Sequence, residues 1–165
     1  MNIKNLICNL LTPHKIPLKI FNRIFFSYLK KNYKYDVFEK EQNKIFEDFT
    51  LNRNNGLKKL ELIKEKYTIF NRNMASEHEC VFSSLSVSNR KINTILEIGT
   101  FDGVNSFLLS LLFDKAQIET IDLESNTDDF KKFYNRSDTI NEFVSSRNAV
   151  ISKSNRITFK EMNSI

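Results

Sequence analysis

The chain has 165 residues, 41% of them hydrophobic and 15 of them Phe, enough for one domain with a substantial core. Only three Gly and two Pro are present, so tight turns are few, which disfavours a β-sandwich and favours helices. The net charge of +5 is uneven, because residues 1–35 hold seven Lys or Arg and no acid, which leaves the rest of the chain slightly acidic.

The first element is that basic segment, residues 1–35, where Pro13 and Pro17 separate a short helix ending near Leu11 from a second over Leu18–Tyr33. Its Lys and Arg alternate with Phe21, Phe25, Phe26, Tyr28, Tyr33 and Tyr35, a pattern suited to docking on the rest of the protein or to peripheral contact with an anionic membrane or a partner. Nucleic acid is the least favoured partner. No apolar run approaches the roughly 20 residues of a membrane span, and the stretch LICNLL is shorter than a signal-peptide core. The expected location is therefore cytoplasmic, with Cys8 and Cys80 as reduced thiols that lack metal-ligand spacing.

Residues 36–90 read as a helical region. Asp36 is expected as an N-cap with Glu39 three residues on, followed by Phe38, Ile45, Phe46 and Phe49 on one helical face. The stretch LNRNNG, ending at Gly56, reads as a loop, and Leu57, Leu60, Ile63, Tyr67 and Phe70 mark the next helix. Ser76 with Glu79 forms a capping pattern that opens a third helix to about Leu85, with Val81, Phe82 and Leu85 inward. The triplet Glu77-His78-Glu79 does not form a metal site, since adjacent helical residues point apart, and no metal is expected. His14 and His78 stand alone.

From residue 91 to 165 the pattern becomes strand, helix, strand, helix, strand. Ile92–Ile98 is apolar on both faces, as in a buried parallel strand, and is followed by a helix over Asp102–Phe113. A strand over Gln117–Leu123, a helix from Asp138 or Thr139 to Ile151 and a strand over Arg156–Met162 complete the series. Such alternation predicts an α/β fold, a partial Rossmann-like parallel sheet of about three strands preceded by an α-helical N-terminal region.

Between the first strand and its helix lies Glu97-Ile98-Gly99-Thr100-Phe101-Asp102-Gly103, which holds two of the chain's three glycines. A strand that turns at once into a helix leaves the first helical N–H groups aimed above the sheet edge, and glycine lets a ligand approach without a Cβ in the way. Asp122 ends the next strand, where a carboxylate accepts hydrogen bonds from ribose hydroxyls. A dinucleotide site would need a third glycine and would suffer from Glu97 beside a pyrophosphate. A ligand carrying ammonium and sulfonium charges suits these acids better.

ILEIGTFDG followed by IETIDL resembles the first and second motifs of class I S-adenosylmethionine-dependent methyltransferases, and DDFKKFYNR, EFVSSRNAVI and ITFKEMNSI resemble a bacterial subgroup that includes small-molecule O-methyltransferases. The likeness spans roughly Glu77–Ile165. It implies S-adenosyl-L-methionine as cofactor and a small-molecule methyl acceptor. Glu97, Gly99 and Gly103 would surround the methionine part, with Thr100 and Phe101 in the same loop, and Asp122 would hold the ribose. Asn163 stands where relatives often place an acid near the adenine amine, and Ser164 is its neighbour. The family's sheet runs 3-2-1-4-5-7-6, so the chain supplies the first three strands and is expected to be a truncated enzyme whose catalytic residues are absent. A helical amino-terminal part would cover the site or form a homo-oligomer. The competing expectations are a nicotinamide-dependent oxidoreductase and a non-catalytic chain whose basic amino terminus binds a membrane or partner.

Overall fold

The computed structural model describes Ser27 and residues 34–70, 76–128, 130 and 139–162. The two expected helices before Tyr33, the basic segment's contacts, Asp138, Asn163 and Ser164 lie outside the described residues. Contacts group the chain into two compact units, Met1–Gln42 and Asn43–Ile165. The described elements run in the order α1 (Tyr35–Asp48), α2 (Arg53–Lys66), α3 (Glu77–Ser86), β1 (Thr94–Ile98), α4 (Val104–Leu112), β2 (Gln117–Asp122), α5 (Ile140–Ile151) and β3 (Ile157–Glu161). The fold is α/β, with a parallel sheet ordered β1-β2-β3 and the partial Rossmann-like arrangement expected from the alternation. None of the described helices is long and apolar enough to cross a membrane.

Among the described helices, α2 and α3 start on a capping side chain. In α1, Asp36 lies inside the first turn rather than at the cap, and of the four apolar residues expected on one face only Phe46 is buried. Ile45 and Phe49 are exposed. The LNRNNG stretch is a correction: only its first two residues precede α2, because Asn52 extends its backbone and its side chain accepts from the Asn55 N–H at 2.9 Å. Gly56 is therefore helical and buried. A Cβ there would stand 2.6 Å from the Ser84 backbone nitrogen, so glycine is what lets α2 and α3 lie this close. The helix stops at Lys66 rather than running on to Phe70, whose ring nonetheless stacks on Phe107 with centroids 5.8 Å apart.

At α3 the capping box is formed in both directions: Glu79 N–H donates to Ser76 Oγ at 3.2 Å, and Ser76 N–H donates to Glu79 Oε2 at 2.9 Å. We expect Ser76→Ala to lower the chain's unfolding free energy by about 1 kcal/mol, measured by denaturant titration. The centre of the α3 buried face differs from expectation, with Cys80, Ser83 and Ser84 fully covered, Phe82 and Leu85 partly so and Val81 exposed. Small side chains are needed where Gly56 brings the helices together, and both serine hydroxyls satisfy themselves on the Cys80 carbonyl, at 3.0 and 2.7 Å. Burial also pushes the Cys80 thiol up from its ordinary range.

The core joins α2 and α3 to the α/β part, with Leu60, Phe70, Phe107, Leu108, Leu112, Phe113 and Ile118 at its centre and Ile95 and Ile157 against it. Ile95, Ile118 and Ile157 are register partners and share one sheet face, the face that α4 and α5 cover from the same side. The end of α4 is closed by cations. Arg156 donates to the Ser110, Phe113 and Ala116 carbonyls at 2.5, 2.6 and 3.2 Å, and Lys59 donates to that of Leu112 at 2.7 Å. On the other face, Leu96 and Ile98 are 60% and 65% exposed, so β1 is covered on one face rather than the expected two. Among the described residues β1 is also an edge of the sheet, the position expected of it when no fourth strand lies alongside.

Candidate functional site

The carboxyl ends of the three strands gather the residues singled out in the sequence. Glu97 pairs in register with Thr120, and Asp122 lies two residues beyond, so Glu97 and Asp122 stand on the same sheet face as Ile95 and Ile118. β1 gives way to the turn at Gly99, whose N–H donates to the Ile121 carbonyl at 2.8 Å and so extends the ladder by one residue. Gly99 has φ +91° and Gly103 φ +75°, both in the left-handed region that glycine enters without strain. Their missing side chains differ in purpose. A Cβ on Gly103 would meet Ile151 Cγ1 at 2.9 Å, so that residue seats α4 against α5, whereas a Cβ on Gly99 would meet nothing within 4 Å.

Between the glycines, side chains hold the turn in place. Asp122 is 6% exposed, and its Oδ2 accepts from the Phe101 N–H at 2.9 Å while its Oδ1 accepts from the Leu123 N–H at 2.8 Å. Asp102 accepts from the Val104 N–H at 3.0 Å and so places an acid at the α4 start. Phe101, at φ +51°, is a non-glycine residue in the left-handed region, and the Asp122 bond to its N–H keeps it there. Its ring is 41% exposed and lies 5.4 Å from that of Phe143.

Glu97 is the centre of a polar chain. It accepts from Asn105 Nδ2 at 2.6 Å, from Thr120 Oγ1 at 2.7 Å and, closely, from Ser106 Oγ. Thr120 and Thr100 hydroxyls lie 2.7 Å apart. A hydroxyl has one proton, so when Thr120 donates to Glu97, Thr100 donates to Thr120. Thr100 and Thr120 are buried, and this chain ties the turn to β2 and to the first turn of α4. Glu97 thus has a structural duty near the positive end of α4, and its carboxylate also adds negative charge beneath the turn.

Sequence reasoning missed Glu161. It pairs in register with Asp122, which sets two carboxylates side by side at the tips of β2 and β3. The signal was present in the alternation Ile157, Phe159, Glu161, which puts all three on the covered face. Glu161 Oε1 accepts from Ser125 Oγ at 2.7 Å and from Arg147 Nη2 at 3.0 Å. Burial pushes its carboxyl up, but hydrogen bonds from Ser125 and Arg147 and the charge of Arg147 outweigh that and hold it below the usual glutamate range. Arg147 is itself buried, with its guanidinium 4.2 Å from the Phe159 ring centroid and its Nη1 without a hydrogen-bond partner.

The segments that follow β1 and β2 are acidic. Residues 97–104 and 122–128 carry Glu97, Asp102, Asp122, Glu124 and Asp128 and no Lys or Arg. Elsewhere, a cavity of about 760 Å³ opens at the opposite end of the sheet between Tyr67, Ser110 and Arg156, and one of about 690 Å³ runs along α5 and β3 past Arg147 and Phe159. Neither lining includes Glu97, Gly99, Phe101 or Asp122. Among the described residues no group of three or more His, Cys, Asp or Glu is placed to hold a metal ion. Glu79 pairs with Lys64 at 2.9 Å, and Glu77 lies 3.8 Å from Arg53. Comparison with protein-family models, with curated proteins and with solved structures finds no match to this chain.

Proposed function

We propose that the turn between β1 and α4 binds the nucleoside and amino-acid parts of S-adenosyl-L-methionine, and that the chain carries the cofactor-binding part of a methyltransferase acting on a small molecule. The observation that carries this reading is the open space over Gly99, flanked by Glu97 and Asp122 on one sheet face. The fit rests on chemistry. A pyrophosphate would stand beside the Glu97 and Asp122 carboxylates, whereas a ligand with an ammonium and a sulfonium is attracted by them.

When bound, the cofactor supplies an electrophilic methyl group on a positively charged sulfur. The chain's own residues do the positioning. Asp122, oriented by the Phe101 and Leu123 N–H groups, presents carboxylate oxygens at the tip of β2, and a carboxylate offers about four acceptor positions for donors such as ribose hydroxyls. Glu97 lends negative charge from below, fixed by Asn105, Ser106 and Thr120 so that little reorganisation accompanies binding. Gly99 removes the side chain that would otherwise stand in the approach.

Titration calorimetry on the full chain separates this reading from a nicotinamide site. We expect heat from S-adenosylhomocysteine and none from NAD. Saturable NAD binding with no response to S-adenosylhomocysteine would replace the reading with the oxidoreductase alternative.

A further inference from the structure

The end of the sheet away from Gly99 holds a basic cavity. Its volume is about 760 Å³, it lies where α2, α4 and α5 end and β3 begins, and Lys66, Lys153 and Arg156 line it with no Asp or Glu. Part of that charge has a structural use. A helix carboxyl end carries about half a negative charge, and the α4 end is already met by Arg156 and Lys59 through their bonds to its carbonyls. Three helix ends and three full cations meet there, so a surplus of positive charge remains. Lys66 and Lys153 are exposed, and among the described residues neither forms an ion pair.

One wall of the cavity is aromatic. Tyr67 and Phe107 both line it, with ring centroids 5.4 Å apart and planes nearly perpendicular, and Lys66 Nζ stands over the Tyr67 ring at 5.3 Å from its centroid. A cation is thereby held beside an apolar surface. Ser154 Oγ accepts the Arg156 N–H at 3.4 Å, which leaves its own proton to donate. We propose that this cavity binds a phosphate monoester with a planar apolar body, the phosphate meeting Lys66, Lys153 and Ser154 and the body lying against Tyr67 and Phe107. A phosphate monoester carries about −1.5 to −2 charge at neutral pH and three acceptor oxygens, which suits the surplus of positive charge and the donors at hand. The volume falls within the range of small-molecule sites, about 300–1,000 Å³. No residue of the turn after β1 lines this cavity, so the inference does not depend on the identity of the ligand at Gly99.

Amide NMR titration of the full chain with phenyl phosphate tests it. We expect saturable shifts at Thr68, Ser110, Ser154 and Asn155, with affinity about tenfold or more lower in the double variant Lys66→Gln/Lys153→Gln. Lys91→Gln/Lys115→Gln removes the same charge from residues outside this lining and leaves the affinity unchanged. Inorganic phosphate, which lacks the planar body, binds about tenfold or more weakly than phenyl phosphate, and phenol, which lacks the charge, gives no saturable shifts. Absence of saturable shifts with phenyl phosphate, equal weakening in the two double variants, or binding of phenol or inorganic phosphate as tight as that of phenyl phosphate overturns the proposal.

Discussion

Gly56→Ala is expected to destabilise the chain by about 2 kcal/mol, seen as a fall in Tm of about 4–8 °C. The sign is what makes this informative. At an exposed helical position the same change stabilises by about 1 kcal/mol, because alanine is the better helix former. Here the new methyl group would lie 2.6 Å from the Ser84 nitrogen and 2.8 Å from its Cα, both backbone atoms that no rotamer change can move. Relief requires α2 and α3 to separate, which would loosen the packing around Leu60 and Cys80, both almost fully buried. Ser84→Gly should fail to rescue the variant, since it removes the hydroxyl and leaves the backbone contacts in place. A Tm equal to or above that of the parent chain would mean that the two helices are not held this closely.

Asp122→Ala is expected to have the largest combined effect, on stability and on binding together. Its carboxylate accepts the N–H groups of Phe101 and Leu123 at a site that is 6% exposed. Without it, a partly buried donor loses its partner and Phe101 loses the bond that keeps it at φ +51°, a cost of about 1–3 kcal/mol. The turn would relax, and the negative charge at the tip of β2 would be gone. Affinity for S-adenosylhomocysteine should fall by about 10- to 100-fold, the worth of a charge-assisted hydrogen bond. Asp122→Asn separates the two roles in part: it keeps an acceptor for one N–H but turns an NH₂ group toward the other. Unchanged melting together with unchanged affinity would remove Asp122 from both roles.

Much of the α/β part was legible in the sequence because its signals are local. Gln117–Asp122 and Ile157–Glu161 fall within a residue of the ends read from β-branched alternation, and the Ser76–Glu79 capping box needs only three-residue spacing. The misreadings came from contacts between elements. Asn and Gly in LNRNNG have loop composition, yet Asn52 caps a helix and Gly56 packs within it against Ser84, a contact that only the arrival of α3 creates. Likewise Ile45 and Phe49 share a helical face with Phe46, and periodicity alone could not tell that Phe46 alone would be buried. At the strand tips, the glycine spacing and the two acids were readable from the first. The network joining Glu97 to Ser106, Thr120 and Thr100 was not, since its members come from β1, α4, β2 and the turn, as far as 23 residues apart.

The central claim is that the turn after β1 receives a nucleoside cation, and an amide NMR titration of the full chain with S-adenosyl-L-methionine addresses it directly. The account predicts saturable shifts concentrated at Gly99, Thr100, Phe101 and Leu123, with the amides around Ser110 and Arg156 at the far end of the sheet unmoved. Shifts confined to that far end, or none at ligand saturation, would contradict it.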